Sequence, residues 1–296
     1  MRVIEAFDVP IRTVALSPDG RYVAAASEED HLAVYSLVTG ERVSKIFSLG
    51  RGELTFNPQG TTLIYCVSRS GIYALDPTTQ PDATKLGVAL LTQPVAGGVA
   101  ISPDGKILVA PLNGRHGQAK LQRWSAPSWA PLTGFEFWSP FQRLAFSPNG
   151  EFIAGISSPL FELRIAVTGG LNGRHRNKFQ IATEHCFLSF SRTSETVVFG
   201  WDSELHVMET RAGNKLQQVD AAEEPFVDAA FLGPGDQLAT VHGTTVMRIW
   251  SAETWRVLRS FDWGLGGLTC LAVAADGLTG VCGTDNGRLI LFDVDG

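Results

Sequence analysis

The chain has 296 residues, 44% of them hydrophobic, with 31 Gly, 15 Pro and a mean hydropathy of +0.07, a balance too apolar and too weakly charged for a disordered chain. Its 24 Lys and Arg against 30 Asp and Glu give a net charge of -6, which argues against a surface built to displace counterions from a phosphate backbone and so against a nucleic-acid partner. Apolar runs are broken every four to eight residues by Gly, Pro, Asp or Ser, far short of the roughly 18 to 20 that cross a bilayer, so no membrane-spanning helix is expected.

In chain order, Met1 to Pro10 holds no apolar stretch of signal-peptide length and no small-residue cleavage site, which points to a cytoplasmic protein. Arg2 to Phe7 alternates as a strand with no obvious local partner. Ile11 to Ser17 is a short apolar strand, Pro18-Asp19-Gly20 a tight turn, and Tyr22 to Ser27 a second strand rich in Val and Ala. Glu28-Glu29-Asp30 turns the chain into Leu32 to Tyr35, and Thr39-Gly40 turns it again into Arg42 to Phe47.

The same grammar then recurs. An apolar residue, a small one and a Pro-Asp-Gly-like turn appear as LSPDG, FNPQG, ISPDG, FSPNG, FSRTS, FLGPG and VAADG, ending at Gly20, Gly60, Gly105, Gly150, Ser194, Gly235 and Gly277. The intervals of 40, 45, 45, 44, 41 and 42 residues define seven repeats, numbered here one to seven. Four short antiparallel strands make one blade, and a lone blade cannot bury both faces. The repeats must therefore stack face to face and close into a ring, an all-β seven-bladed propeller filling residues 1–296 as one domain. After Gly277 only 19 residues remain, too few for a full last blade, so the N-terminal strand Arg2 to Phe7 is expected to pair with Leu289 to Asp293 and remove two open sheet edges.

These repeats resemble the WD-repeat family of β-propellers. The blade-end Trp-Asp signature is worn down, as in Tyr35-Ser36, Leu75-Asp76, Trp124-Ser125, Met208-Glu209, Trp250-Ser251 and Phe292-Asp293, and the best match is WDSELHVME, with Asp202 at the family's turn-aspartate position. The Gly-His pair that opens a family repeat is missing, so the family's His-Asp hydrogen-bond network is not expected. The resemblance implies a platform for protein or peptide partners.

Chemistry-bearing motifs are sparse. There is no Gly-x-Ser-x-Gly elbow, His-Glu-x-x-His or P-loop. Cys66, Cys186, Cys270 and Cys282 stand apart among apolar neighbours and read as buried thiols. The six histidines read as solvated loop residues without a metal, and no cofactor is expected. Trp124, Trp129, Trp250 and Trp255 fall at matched blade-end positions and read as packing between blades.

A four-strand meander puts the turns between second and third strands, and the connections between blades, at one end of the ring. At that end Trp138, Phe141, Phe226 and Trp263 are candidate exposed anchors. Arg12, Arg51 and Arg143 are candidates for acidic or phosphorylated peptide groups, which the resemblance also implies, with Glu223, Glu224 and Asp228 clustered before repeat six. The expected function is a non-catalytic scaffold or adaptor, a single ring serving in a larger assembly. The alternative is a propeller hydrolase or lactonase using Glu53, Arg143, His185 and Asp228, which the repeats scatter over four blades.

Overall fold

The computed structural model describes residues 1–46, 53–67, 70–79, 82–83, 88–93, 95, 97–113, 119–132, 141–157, 162–167, 175–178, 186–220, 224–233 and 237–294. In repeat one the strands are Ile11–Leu16, Tyr22–Ser27, Leu32–Ser36 and Arg42–Ile46, within a residue or so of those read from the sequence. The turn word forms because its side chains fasten it. Gly20 takes a φ of 68° and its N–H donates to the Ser17 carbonyl at 2.9 Å. The Ser17 hydroxyl donates to Asp19 at 2.7 Å and accepts from the N–H of Tyr22 at 2.9 Å. Ser102 with Asp104 and Ser147 with Asn149 repeat the arrangement at 2.6 and 2.7 Å.

The strand period of two explains the stacking. Along Tyr22–Ser27, Ala24 and Ala26 pack with Leu63 and Tyr65 of repeat two, whereas Val23 and Ala25 pack with Cys270 and Val281 of repeat seven. Both faces of the second strand are thus buried by neighbours, and Val23, Ala24, Ala25 and Ala26 are all fully buried. Fold-wide, the chain is an all-β propeller of antiparallel blades, six of which are four-stranded sheets among the described residues. The remaining sheet is the repeat-one meander with a fifth, parallel strand, Asp82–Ala83, laid along Arg42–Ile46. That addition covers an outer edge with chain from the connection inside repeat two, and a repeat count does not reveal it.

The fourth strand of repeat seven is the N-terminus. Arg2–Glu5 pairs antiparallel with Arg288–Asp293, in the register Arg2 to Leu291 and Glu5 to Arg288. The Arg288 guanidinium meets Glu5 at 2.9 Å, and the N–H groups of Ala6 and Phe7 both donate to the Gly287 carbonyl. The same segment is fastened to repeat one, because Arg2 donates to the carbonyls of Leu37 and Thr39 and the Tyr35 hydroxyl donates to the Ala6 carbonyl.

The turn before each outer strand shows how packing overrides backbone preference. Gly40 and Gly213 hold its left-handed position with φ of 78° and 72°, but in repeats three and six Trp129 and Trp255 hold it at 54°. Bulky residues rarely adopt that conformation. Here each indole packs on an apolar cluster, Trp129 with the Leu108–Trp124 group and Trp255 with the Phe231–Trp250 group, so blade packing holds the turn.

Deleting residues 1–8 should cost on the order of 1 kcal/mol for each backbone bond lost from the last blade. The expected readout is a lower midpoint for a single, whole-domain thermal transition, and an unchanged midpoint would remove the N-terminal strand from the account.

Candidate functional site

The first strand of each blade lines the central channel, and a bulge recurs near its start, between Ile11 and Thr13, Phe141 and Arg143, Phe226 and Asp228, and Leu268 and Cys270. The residue beyond it stands at one fixed offset before each turn glycine, and at that offset repeats two, four and six carry Glu53, Arg143 and Asp228. All three face one channel cavity of about 380 Å³. A second cavity of about 410 Å³ opens at the mouth between Arg12, Glu28, Thr269 and Asp285, and Arg143 borders both.

These side chains tie blades together. The Arg143 guanidinium reaches across from repeat four to Glu53 of repeat two at 2.8 Å and donates through Nε to the Cys186 carbonyl of repeat five at 3.2 Å. The Asp228 carboxylate accepts from the N–H of Ala229 and from that of Leu271 in repeat seven, both at 2.9 Å. The Thr269 hydroxyl donates to the Ile11 carbonyl at 2.6 Å, joining repeat seven to repeat one. Burial pushes the Glu53 and Asp228 carboxyls above their ordinary range, although the Arg143 charge pulls both down. Burial opposes the charge on Arg143, yet the two carboxylates hold its pKa above normal. Burial also raises the thiols, Cys186 to about 11 and Cys270 to about 12, so at neutral pH neither is a ready nucleophile. All four cysteines are buried and free.

The anticipated site residues fall in different places. Arg12 and Arg143 both border the mouth cavity, and Arg12 pairs with Asp30 at 3.0 Å. Phe141 and Phe226, expected to be exposed, are 2% and 1% exposed. They begin the inner strands and point between blades. The Phe141 ring covers Gly155, and Phe226 packs against Phe187 at 6.2 Å and His242 at 5.0 Å. Trp263 is half-buried between Phe261 and Phe292, at 6.2 and 5.6 Å. Arg51, Trp138, His185 and Glu223 lie outside the described residues.

Two histidines read as solvated are buried. His206 stacks against both Phe199 and Trp201, with ring centroids 5.3 and 4.8 Å away. His242 is fully buried at the end of its strand. Trp250 donates to the Thr240 hydroxyl at 2.8 Å, and that hydroxyl stands 3.1 Å from His242 Nε2. Because His242 Nδ1 faces the Glu224 carbonyl at 3.2 Å, it must carry the proton and Nε2 must accept. Burial lowers the His242 pKa, in keeping with that neutral form. A hydrogen-bonded chain is therefore built in repeat six from Trp250, Thr240, His242 and the Glu224 carbonyl, without the His-Asp pair whose absence the sequence implied. Glu224 pairs with Arg248 at 2.7 Å.

The scattered hydrolase candidates Glu53, Arg143 and Asp228 converge instead. Aligning the repeats on their turn glycines is the signal that finds them, since all three share one offset, whereas Arg12 and Arg143 do not.

A raised carboxyl pKa means that the folded state holds its proton more tightly than the unfolded chain, so the group's contribution is fully present below the unfolded value and is lost as pH rises through the folded one. For Asp228→Asn, the melting temperature relative to wild type should therefore increase over the range from about pH 4 upward. Melting curves across that range check this, and a pH-independent difference would contradict it.

Residues 1–36 match the family described as WD domain, G-beta repeat (WD40). No curated protein matches the chain. The matched span carries the N-terminal strand and the first three strands of repeat one, and together with the propeller arrangement of the sheets it supports a WD-repeat β-propeller.

Proposed function

We propose that the chain is a non-catalytic scaffold that binds a protein or peptide within a larger cytoplasmic assembly, and that it closes as one monomeric ring of seven blades. The observation that carries this reading is how the polar groups at the channel mouth are used. Arg143, Glu53, Asp228 and Thr269 are hydrogen-bonded from blade to blade, which supports a stiff frame with the turns and connections presented at one end. Arg12, Arg143 and Trp263, together with Arg51 and Trp138, are the proposed contact residues on that end, and Phe141 and Phe226 support it from beneath.

A hydrolase or lactonase is the second reading, favoured by the convergence of Glu53, Arg143 and Asp228 on one cavity. The two separate by experiment. Affinity capture with quantitative mass spectrometry should recover partners with the wild type that are lost with a folded Arg12→Ala/Trp263→Ala variant, while a panel of lactones and esters shows no turnover. Equal recovery by both proteins would remove this face from the account, and turnover abolished by Asp228→Asn would favour the enzyme.

A further inference from the structure

Resting on the docking reading, the partner's chemistry can be inferred from charge at the mouth. Four described arginines at this end are already engaged by acids: Arg12 by Asp30 at 3.0 Å, Arg143 by Glu53 at 2.8 Å, Arg248 by Glu224 at 2.7 Å and Arg288 by Glu5 at 2.9 Å. An incoming anion would have to displace a carboxylate from one of them. Glu28, Glu29, Asp202 and Asp285 are exposed in the turns around the same end, and none is paired with a cation among the described residues. Asp228 adds a further carboxylate in the channel below, bonded to backbone N–H groups rather than to a cation.

The mouth cavity gives this surplus a shape. At about 410 Å³ it is large enough for one long side chain, with Ile11, Val227 and Leu268 as aliphatic walls, Glu28 and Asp285 as the carboxylates of its lining, and Arg12 and Arg143 in that lining already held by Asp30 and Glu53. Those walls suit the methylene stem of a Lys or Arg, and the carboxylates suit its head. We propose that this end docks a basic segment of a protein partner and that the cavity receives one of its cationic side chains. The assignment reverses the expectation that the arginines here receive acidic or phosphorylated groups.

The test uses the full chain and three fluorescein-labelled, capped pentapeptides in which Gly alternates with Arg, Gln or Glu, followed by fluorescence anisotropy at about 50 and about 300 mM salt. The Arg peptide should bind, should weaken as salt rises, and should lose about fivefold in affinity with Glu28→Gln/Asp285→Asn. Asn at 285 keeps the oxygen that accepts from the Gly267 N–H, and Glu28→Gln alone at an exposed turn serves if the double variant unfolds. Preferential binding of the Glu peptide would overturn the cationic assignment and leave the docking reading standing. Equal binding of all three, or Arg-peptide binding unmoved by the variants, would overturn the cavity assignment, and no binding by any peptide would count against both.

Discussion

A four-stranded sheet with two apolar faces cannot stand alone in water, and every other feature of this molecule answers to that constraint. The second strand of repeat one buries alternate side chains against repeats two and seven, so no blade is complete until both neighbours are in place. Small residues make this possible, since Ala24, Ala25 and Ala26 let adjacent sheets approach closely. The last blade borrows its outer strand from the opposite end of the chain, which ties the termini into a closed circuit of contacts. Stability in such an arrangement belongs to the ring rather than to any one repeat.

Stacking leaves a second problem at the axis, where inner strands converge and their polar atoms face a narrow channel. The solution is to pair those atoms with the next blade. Arg143 reaches Glu53 and the Cys186 carbonyl, Asp228 takes the Leu271 N–H, and Thr269 takes the Ile11 carbonyl. Each bond satisfies a group that would be costly to bury alone and also sets the angle between blades. Function then moves outward to the mouth and its turns, where carboxylates remain without cationic partners among the described residues.

How much of this was legible in the sequence follows from how local each cause is. Ser17, Asp19 and Gly20 fasten their own turn, so the repeat and its strands could be read from a five-residue word. The shortage of residues after Gly277 likewise exposed the role of Arg2–Glu5. Burial was harder, because it depends on a neighbouring blade. Phe141, Phe226 and His242 sit at strand ends that a single repeat leaves open, and only the stacked ring closes over them. Repeat alignment could have gathered Glu53, Arg143 and Asp228, but not the second partner of Arg143, the Cys186 carbonyl, which belongs to the backbone. The strand Asp82–Ala83 carries no repeat signal at all.

The most direct measurement of whether side chains at the channel fasten the ring is a double-mutant cycle on Arg143→Met and Glu53→Leu by denaturant unfolding at neutral pH. The two side chains retain 37% and 18% exposure, so the coupling should fall below that of a fully buried pair, at about 2 kcal/mol, with the double variant recovering most of what either single variant loses. Additive losses, with a coupling near zero, would contradict the account.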